Sequence, residues 1–277
     1  YTGEVLKTSE NSYTVAEISS FQLETVHRFH PVVSAILNIT PDHLNRHHTM
    51  ECYAHTKERI AENQTKDDVC VLNMEDEELY RFGSECKASV VWFSSKRKPD
   101  KGAYLDGDDI RYTDGTQDKL MLNIHDMNLL GTHNYENVCA AIAMTKAVGI
   151  PDDIIIEQVK CFKAVEHRIE YVATKKGVWY YNDSKGTNPD AAIKAVEAMV
   201  RPTIVIGGGY DKESVYDEWI ASFGTKVKSL VLLGQTADKI AEAAAKAGFT
   251  AVTKVDSLEE AVAECARQAQ DGDAVLL

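Results

Sequence analysis

Apolar residues in the first half of the chain fall in short unbroken runs. Residues 32–37, 69–72 and 89–93 are such runs. Their length and β-rich content predict strands, and an unbroken run is the kind buried on both faces of a sheet. Residues 13–18 read as a further strand and 19–27 as a short helix after it, while 50–63 read as a longer helix. Strand alternating with helix predicts a parallel sheet with crossover helices. The pattern then breaks. Between 95 and 125, Gly102, Asp106-Gly107 and Asp114-Gly115 separate short strand-like pieces, a pattern that predicts hairpins. Residues 134–148 are apolar at helical spacing with Gly149 as the stop, and Pro151 starts another helix to about Phe162.

A second block begins near Val165. Residues 169–173 and 178–182 read as two strands around the turn Lys175-Lys176-Gly177. Asn188-Pro189 opens a helix to Met199, with Asn188 or Thr187 as cap and Pro in the first turn. Strands at 203–206, 228–233 and 250–254 then alternate with helices at 236–247 and 257–268. That is a doubly wound α/β layout. No internal repeat or low-complexity segment interrupts it.

Composition narrows the partners. The 277 residues carry 44% hydrophobic and 26% charged side chains, a globular balance. A formal net charge of −13 argues against nucleic acid or an anionic membrane as partner, though not against a local basic pocket. The six cysteines, Cys52, Cys70, Cys86, Cys139, Cys161 and Cys265, form no C-x-x-C pair. They read as buried free thiols in a reducing compartment. With no signal peptide and no long apolar run, a soluble, cytoplasmic protein is expected, and it is read as a monomer. The chain lacks an initiator Met and stops on the strand-like Asp273-Ala274-Val275-Leu276-Leu277, so truncation at both ends is expected.

Six segments carry candidate chemistry, and most follow strands, where open α/β sheets bind ligands. Glu17 ends the strand expected at 13–18, with Ser19, Ser20 and Gln22 behind it. A carboxylate there suits Mg²⁺ held with waters and phosphate oxygens, or is simply solvated. Asp42, His43 and Arg46 leave the end of the next strand, where His43 reads equally as a structural hydrogen-bonding residue. Lys57 lies amid alternating charge on a helix, which by itself reads as a solvated face. Gly131-Thr132-His133-Asn134 opens an apolar helix, an end that can bind anions or polar rings or be a plain cap. Glu166-His167-Arg168 and Asp183-Ser184-Lys185-Gly186-Thr187 flank a strand pair. Asp can hold a ribose hydroxyl, and Lys or Arg a phosphate. Gly207-Gly208-Gly209, followed by Asp211-Lys212, lets a backbone approach a ligand but is no P-loop.

In order and spacing these segments resemble the ATP-dependent Mur ligases over essentially the whole chain. Glu17-Ile18-Ser19-Ser20-Phe21-Gln22-Leu23-Glu24 resembles the D-glutamate-adding branch in particular. The resemblance implies an α/β fold in two parts. Residues 1–164 would be a central ATP-binding domain, a mostly parallel sheet plus a small β region, whose phosphate loop would lie before Tyr1. Residues 165–277 would be a Rossmann-like C-terminal ligase domain, with part of the D-glutamate pocket after Leu277.

It further implies an ADP-forming ligase of peptidoglycan synthesis, joining D-glutamate to UDP-N-acetylmuramoyl-L-alanine through an acyl phosphate, with ATP and Mg²⁺. Glu17 and His43 would hold Mg²⁺, and Lys57 would be the lysine the family carbamylates. Asn134 would contact adenine. His167, Arg168, Asp183 and Lys185 would meet the nucleotide across the domain interface. Ser19, Thr187 and Lys212 would serve substrate binding, Thr187 and Lys212 by placing D-glutamate. Residues 163–165 are the expected hinge. Two other readings stand beside this one: a ligase of the same superfamily adding another amino acid, and a nucleotide-binding fragment without turnover.

Overall fold

The computed structural model describes residues 3, 7–10, 12–41, 43–163, 166–211 and 214–277. Two six-stranded sheets organise them. The first runs in sequence order: β1 (Val33–Ile36), β2 (Val69–Asn73), β3 (Ser89–Ser94), β4 (Gly102–Asp106), β5 (Asp109–Thr113) and β6 (Asp118–Asn123). Strands β1 to β4 are parallel, and β4, β5 and β6 form an antiparallel meander. The hairpins expected between 95 and 125 are this meander.

Both faces of the parallel part are covered, which is why its strands are continuously apolar. On one face Val71, Val91, Phe93 and Ile110 pack against Cys139, Ile142 and Ala143 of α5 (Thr132–Ala147) and Ile155 of α6 (Asp152–Cys161). On the other, Ile36, Cys70 and Leu72 meet Tyr53 of α3 (Met50–Glu58) and Leu79 of α4 (Glu77–Glu85). Two short helices, α1 (Ser20–Leu23) and α2 (Leu44–His47), sit near the β1 end. The strand expected at 13–18 is absent. Residues 12–19 carry no regular structure, and Tyr13 and Val15 are 62% and 87% exposed. A strand needs a ladder neighbour, and among the described residues β1 pairs with β2 alone.

The second sheet has the order β11-β10-β9-β12-β8-β7. Its strands are β7 (Glu170–Lys175), β8 (Val178–Asn182), β9 (Thr203–Gly208), β10 (Val227–Leu233), β11 (Val252–Lys254) and β12 (Ala274–Leu276). All are parallel except β7, which pairs antiparallel to β8. The last strand, β12, enters the middle, with Ala274 opposite Trp179 on one side and Thr203 on the other. Helices α7 (Pro189–Ala198), α8 (Asp217–Ala221) and α9 (Ala237–Lys246) cover one face through Val196, Trp219 and Ile240. Helix α10 (Leu258–Gln268) covers the other through Ala261 and Cys265.

This is the doubly wound layout expected from the pattern. The short helix α8 and the helix α4 are not announced by it. Among the described residues no helix is long and apolar enough to cross a membrane. All six cysteines are free thiols, as expected, but Cys52 and Cys161 are exposed rather than buried. Both lie on helices that turn only part of their surface to the core.

Candidate active site

The first sheet presents its chemistry where β1 ends. Three side chains, from β2, α3 and the N-cap of α4, grip three consecutive residues there. Asn73 Nδ2 donates to the Leu37 carbonyl at 3.0 Å, Lys57 Nζ to the Asn38 carbonyl at 3.0 Å, and the Ile39 N–H donates to Asp76 Oδ2 at 2.6 Å. Lys57 is half-buried and lies 4.9 Å from the Tyr53 ring centroid. It is therefore a fixed group, not the solvated cation its sequence context suggests. His43 follows in the left-handed region, φ 51°, immediately before α2.

Helix α1 is locked onto this segment. Ser19 caps it: its Oγ accepts from Gln22 N–H at 3.3 Å, while its own N–H donates to Gln22 Oε1 at 2.9 Å. The Ser19 hydroxyl, expected to serve substrate, is thus engaged as a cap. The Phe21 and His43 ring centroids are 4.8 Å apart, and the Arg46 guanidinium sits 4.8 Å above Phe21. Arg46 also forks onto Glu24, Nε at 2.9 Å and Nη2 at 2.6 Å, and holds that carboxyl below its ordinary range. His47, only 3% exposed, puts Nε2 3.1 Å from Ser20 Oγ and its ring 5.2 Å from Tyr53. These contacts bring the stretch beginning at Glu17 alongside the stretch beginning at Asn38. Glu17 itself is exposed and leaves irregular backbone rather than a strand end. Asp42 lies outside the described residues.

The second sheet builds its site from two turns laced together. His167 and Ile169 both have positive φ, 66° and 45°. Such backbone costs about 1–3 kcal/mol per residue and persists only when neighbours enforce it. Here the Ile169 N–H donates to Asp183 Oδ1 at 2.9 Å, the His167 N–H to Glu170 Oε2 at 2.8 Å, and the Lys185 N–H to the His167 carbonyl at 3.1 Å. Asn182 Nδ2 donates to His167 Nδ1 at 2.9 Å, which leaves the proton of a neutral ring on Nε2. Asp183 is buried, and burial raises its pKa above the ordinary value despite the Ile169 hydrogen bond and Arg168 nearby. Lys185 and Thr187 are exposed beside it.

Two cavities adjoin these turns. One, of about 450 Å³, runs between α5 and α6 and is mostly apolar. Asn134, Asn137, Thr145, Gln158 and Arg168 supply its polar lining. The structure thus brings Asn134 and Arg168 to one cavity, with Asn134 Nδ2 donating to the Leu130 carbonyl at 2.7 Å. Leu130 also packs on the core of the second sheet. The other cavity, of about 490 Å³, opens at the C-terminal ends of β8, β9 and β12, where strand order reverses. Asp183, Thr187, Gly207, Tyr216 and Trp219 line it.

Two of the three glycines there are demanded by packing. A Cβ on Gly207 would lie 2.7 Å from Trp219 Cη2, and one on Gly208, φ +135°, would lie 1.8 Å from the Leu233 carbonyl oxygen. Trp219 Nε1 is the one buried side-chain polar atom without a partner among the described residues. Lys212 lies outside the described residues, as do positions 164 and 165 of the expected hinge. Sequence reasoning missed Asn73, Asp76 and His47. Asn73 and Asp76 do leave a strand end, but their partners lie more than thirty residues away in the chain.

Residues 2–145 match the Mur ligase middle domain, and residues 167–277 match the Mur ligase glutamate ligase domain. The chain belongs to the Mur ligase family. It is 75% identical over 277 residues to the UDP-N-acetylmuramoylalanine--D-glutamate ligase of Lachnospira eligens, covering 100% of this chain and 62% of that protein. It is 54% identical over 277 residues to the enzyme of the same name from Lachnoclostridium phytofermentans, covering 100% of this chain and 61% of that protein. The chain thus spans about three-fifths of the length of these relatives.

Among solved structures it superposes on MurF from Acinetobacter baumannii with a TM-score of 0.67 at 16% identity, covering 89% of this chain and 56% of that one. On the UDP-N-acetylmuramate-alanine ligase MurC of Thermotoga maritima the TM-score is 0.67 at 18% identity, covering 93% and 57%. These likenesses show the fold. The expected α/β architecture and the family resemblance are borne out.

Proposed function

We propose that this chain is the ATP-binding and amino-acid-adding part of a ligase that joins D-glutamate to UDP-N-acetylmuramoyl-L-alanine in peptidoglycan synthesis. The observation that carries the reading is the 75% identity over the whole chain to a ligase of that name. The organisation of both strand edges supports it. Residues 1–164 form the ATP-binding domain and 165–277 the ligase domain, with 163–165 between them as hinge. The protein acts as a soluble cytoplasmic monomer.

In this reading Asn134 contacts adenine in the cavity it shares with Arg168. Arg168, Asp183, Lys185 and His167 hold the ribose and phosphates across the domain interface. Ser19 serves substrate binding, and Thr187 and Lys212 place D-glutamate beside the cavity that Thr187 lines. The substrate carboxylate takes the terminal phosphoryl group of ATP. The amine of D-glutamate then attacks the acyl phosphate, phosphate leaves, and an amide forms.

Mg²⁺ fits the donor set at the first edge. Among the described residues no trio of His, Cys, Asp or Glu gathers around a point. One carboxylate, Glu17, with His43 beside its segment, matches an ion that keeps several waters and binds mainly through phosphate oxygens. When bound it supplies charge neutralisation at the phosphates. Lys57 contributes as a carbamate: its amine, once neutral, adds CO₂ and releases a proton, so a cation becomes an anion. Its remaining N–H can keep the hydrogen bond to the Asn38 carbonyl, so the modification leaves the observed anchor intact.

The test is ADP release by the chain extended to the full length of its relatives, given Mg-ATP and UDP-N-acetylmuramoyl-L-alanine, with amino acids added singly. Release that requires D-glutamate is expected. Release that answers to another amino acid instead points to a different ligase of the superfamily. Nucleotide binding without release leaves only a binding protein.

A further inference from the structure

Asp76 and Asn73 lie at the exit of β2 and belong to neither strand edge's ATP or amino-acid contacts, yet both reach across to the exit of β1. Asp76 has two separate engagements. Its Oδ1 accepts from Leu79 N–H at 3.1 Å and so caps α4, while its Oδ2 accepts from Ile39 N–H at 2.6 Å. Asn73 is split in the same way: Oδ1 accepts from Glu75 N–H at 2.9 Å, and Nδ2 donates to the Leu37 carbonyl at 3.0 Å. Each residue thus spends one atom on its own turn and the other on the neighbouring strand's backbone. Ile39 is buried, so its N–H would otherwise lack water as a partner. Between the two gripped residues lies Asn38, whose carbonyl holds Lys57.

We propose that Asp76, assisted by Asn73, is a positioning residue of the ligase: it pins residues 37–39 and thereby sets where His43 and Lys57 stand at the reacting phosphates. This rests on reading that edge as the phosphate and metal site. A group that must stand within a fraction of an ångström of its productive place needs such support, and a hydrogen bond to a carboxylate is the stronger kind.

The obvious rival is that Asp76 only caps α4. Asp76→Ser separates the two roles, because serine caps helices well but is too short to reach Ile39. In the full-length protein, Asp76→Ser keeps the α4 cap, so the unfolding midpoint should fall only by the loss of the single Ile39 bond. Exchange of the Ile39 amide should speed up about tenfold or more, the size expected for a lost charge-assisted bond. kcat should fall about tenfold while KM for the UDP-substrate stays within about twofold, as for a group acting on the transition state. Asp76→Asn offers one acceptor oxygen to two donors, the Leu79 and Ile39 N–H groups, so it should recover kcat only partly, in step with the protection it restores to the Ile39 amide. Asn73→Asp keeps its own turn but turns a carboxylate oxygen toward the Leu37 carbonyl, which repels it, and should reproduce the defect.

Parent-like Ile39 exchange and kcat in Asp76→Ser overturn the proposal. So does a kcat loss that follows stability across the variants instead of following Ile39 exchange. A parent that releases no ADP with D-glutamate overturns the function reading instead, and is seen before any variant is made.

Discussion

Replacing Gly208 by alanine tests how the floor of the second cavity is built. Gly208 ends β9 with φ +135°, a region that L side chains rarely enter, and an added Cβ would stand 1.8 Å from the Leu233 oxygen and 2.8 Å from its carbon. That oxygen cannot step aside cheaply. It belongs to β10, where Leu233 pairs with Gly208, and it accepts the Gly209 N–H at 3.2 Å. The backbone conformation costs about 1–3 kcal/mol. Forcing the strands apart adds about 1–3 kcal/mol more. The sum, roughly 2–6 kcal/mol, is a large share of a typical 5–15 kcal/mol stability.

At about 2–4 °C per kcal/mol the melting point should drop by roughly 5–20 °C. Gly209→Ala is the control: its φ is +126°, but nothing lies within 4 Å of the added Cβ, so it carries the backbone cost alone. Urea unfolding of both variants, followed by tryptophan fluorescence, measures the difference directly. If Gly208→Ala is no less stable than Gly209→Ala within about 0.5 kcal/mol, the packing argument is wrong.

Three further outcomes are expected. Asp118 sits between Lys98, Tyr104 and Arg111, and the Lys98 hydrogen bond leads in lowering its pKa to about 2. A depressed carboxyl stabilises the fold above its ordinary value and loses that contribution as pH falls. The urea midpoint of wild type should therefore exceed that of Asp118→Asn at pH 7, with the gap closing between about pH 4 and pH 2; a gap constant with pH would contradict this.

Asp183 is shifted the other way by burial, so its ionised form burdens the fold as pH rises above the ordinary range. Asp183→Asn keeps an oxygen for the Ile169 N–H and should be at least as stable as wild type at pH 8 while binding ATP more weakly. Equal ATP affinity by calorimetry would remove Asp183 from the nucleotide site. Arg168→Ala should weaken ATP by about tenfold or more through loss of a charge-assisted phosphate contact, read by nucleotide titration, and unchanged affinity would detach the α5–α6 cavity from ATP.

The reach of the sequence differs between the sheets for physical reasons. Strands β2, β3, β9 and β10 are buried on both faces, so burial alone dictates unbroken apolar runs and makes them legible. Helix α7 is legible from Asn188 and Pro189, because a cap side chain and a residue without N–H satisfy the first turn locally; Asn188 Oδ1 does accept from Ala191 N–H, at 2.8 Å. The misreading at 13–18 has the opposite cause. Local composition states what a residue could do in a sheet, but a ladder partner decides whether it does, and none is at hand among the described residues.

The same distinction separates the chemistry that could be read from the chemistry that could not. His43, Lys57, Arg168 and Asp183 stand near strand ends or helix starts, so topology alone nominates them. What gives them a place is held elsewhere. Lys57 depends on a carbonyl nineteen residues back, the Ile39 amide on a carboxylate thirty-seven residues on, and Ile169 on Asp183 fourteen residues on. Among those partners, Asp76 looks like an ordinary helix cap in sequence, because it is one. Asp76 caps α4 with one oxygen and holds Ile39 with the other. A local pattern can announce the first duty and is silent about the second. The supporting residues of such a site are therefore best sought among caps and turns that have an atom to spare, at the exits of strands neighbouring those that carry the chemistry.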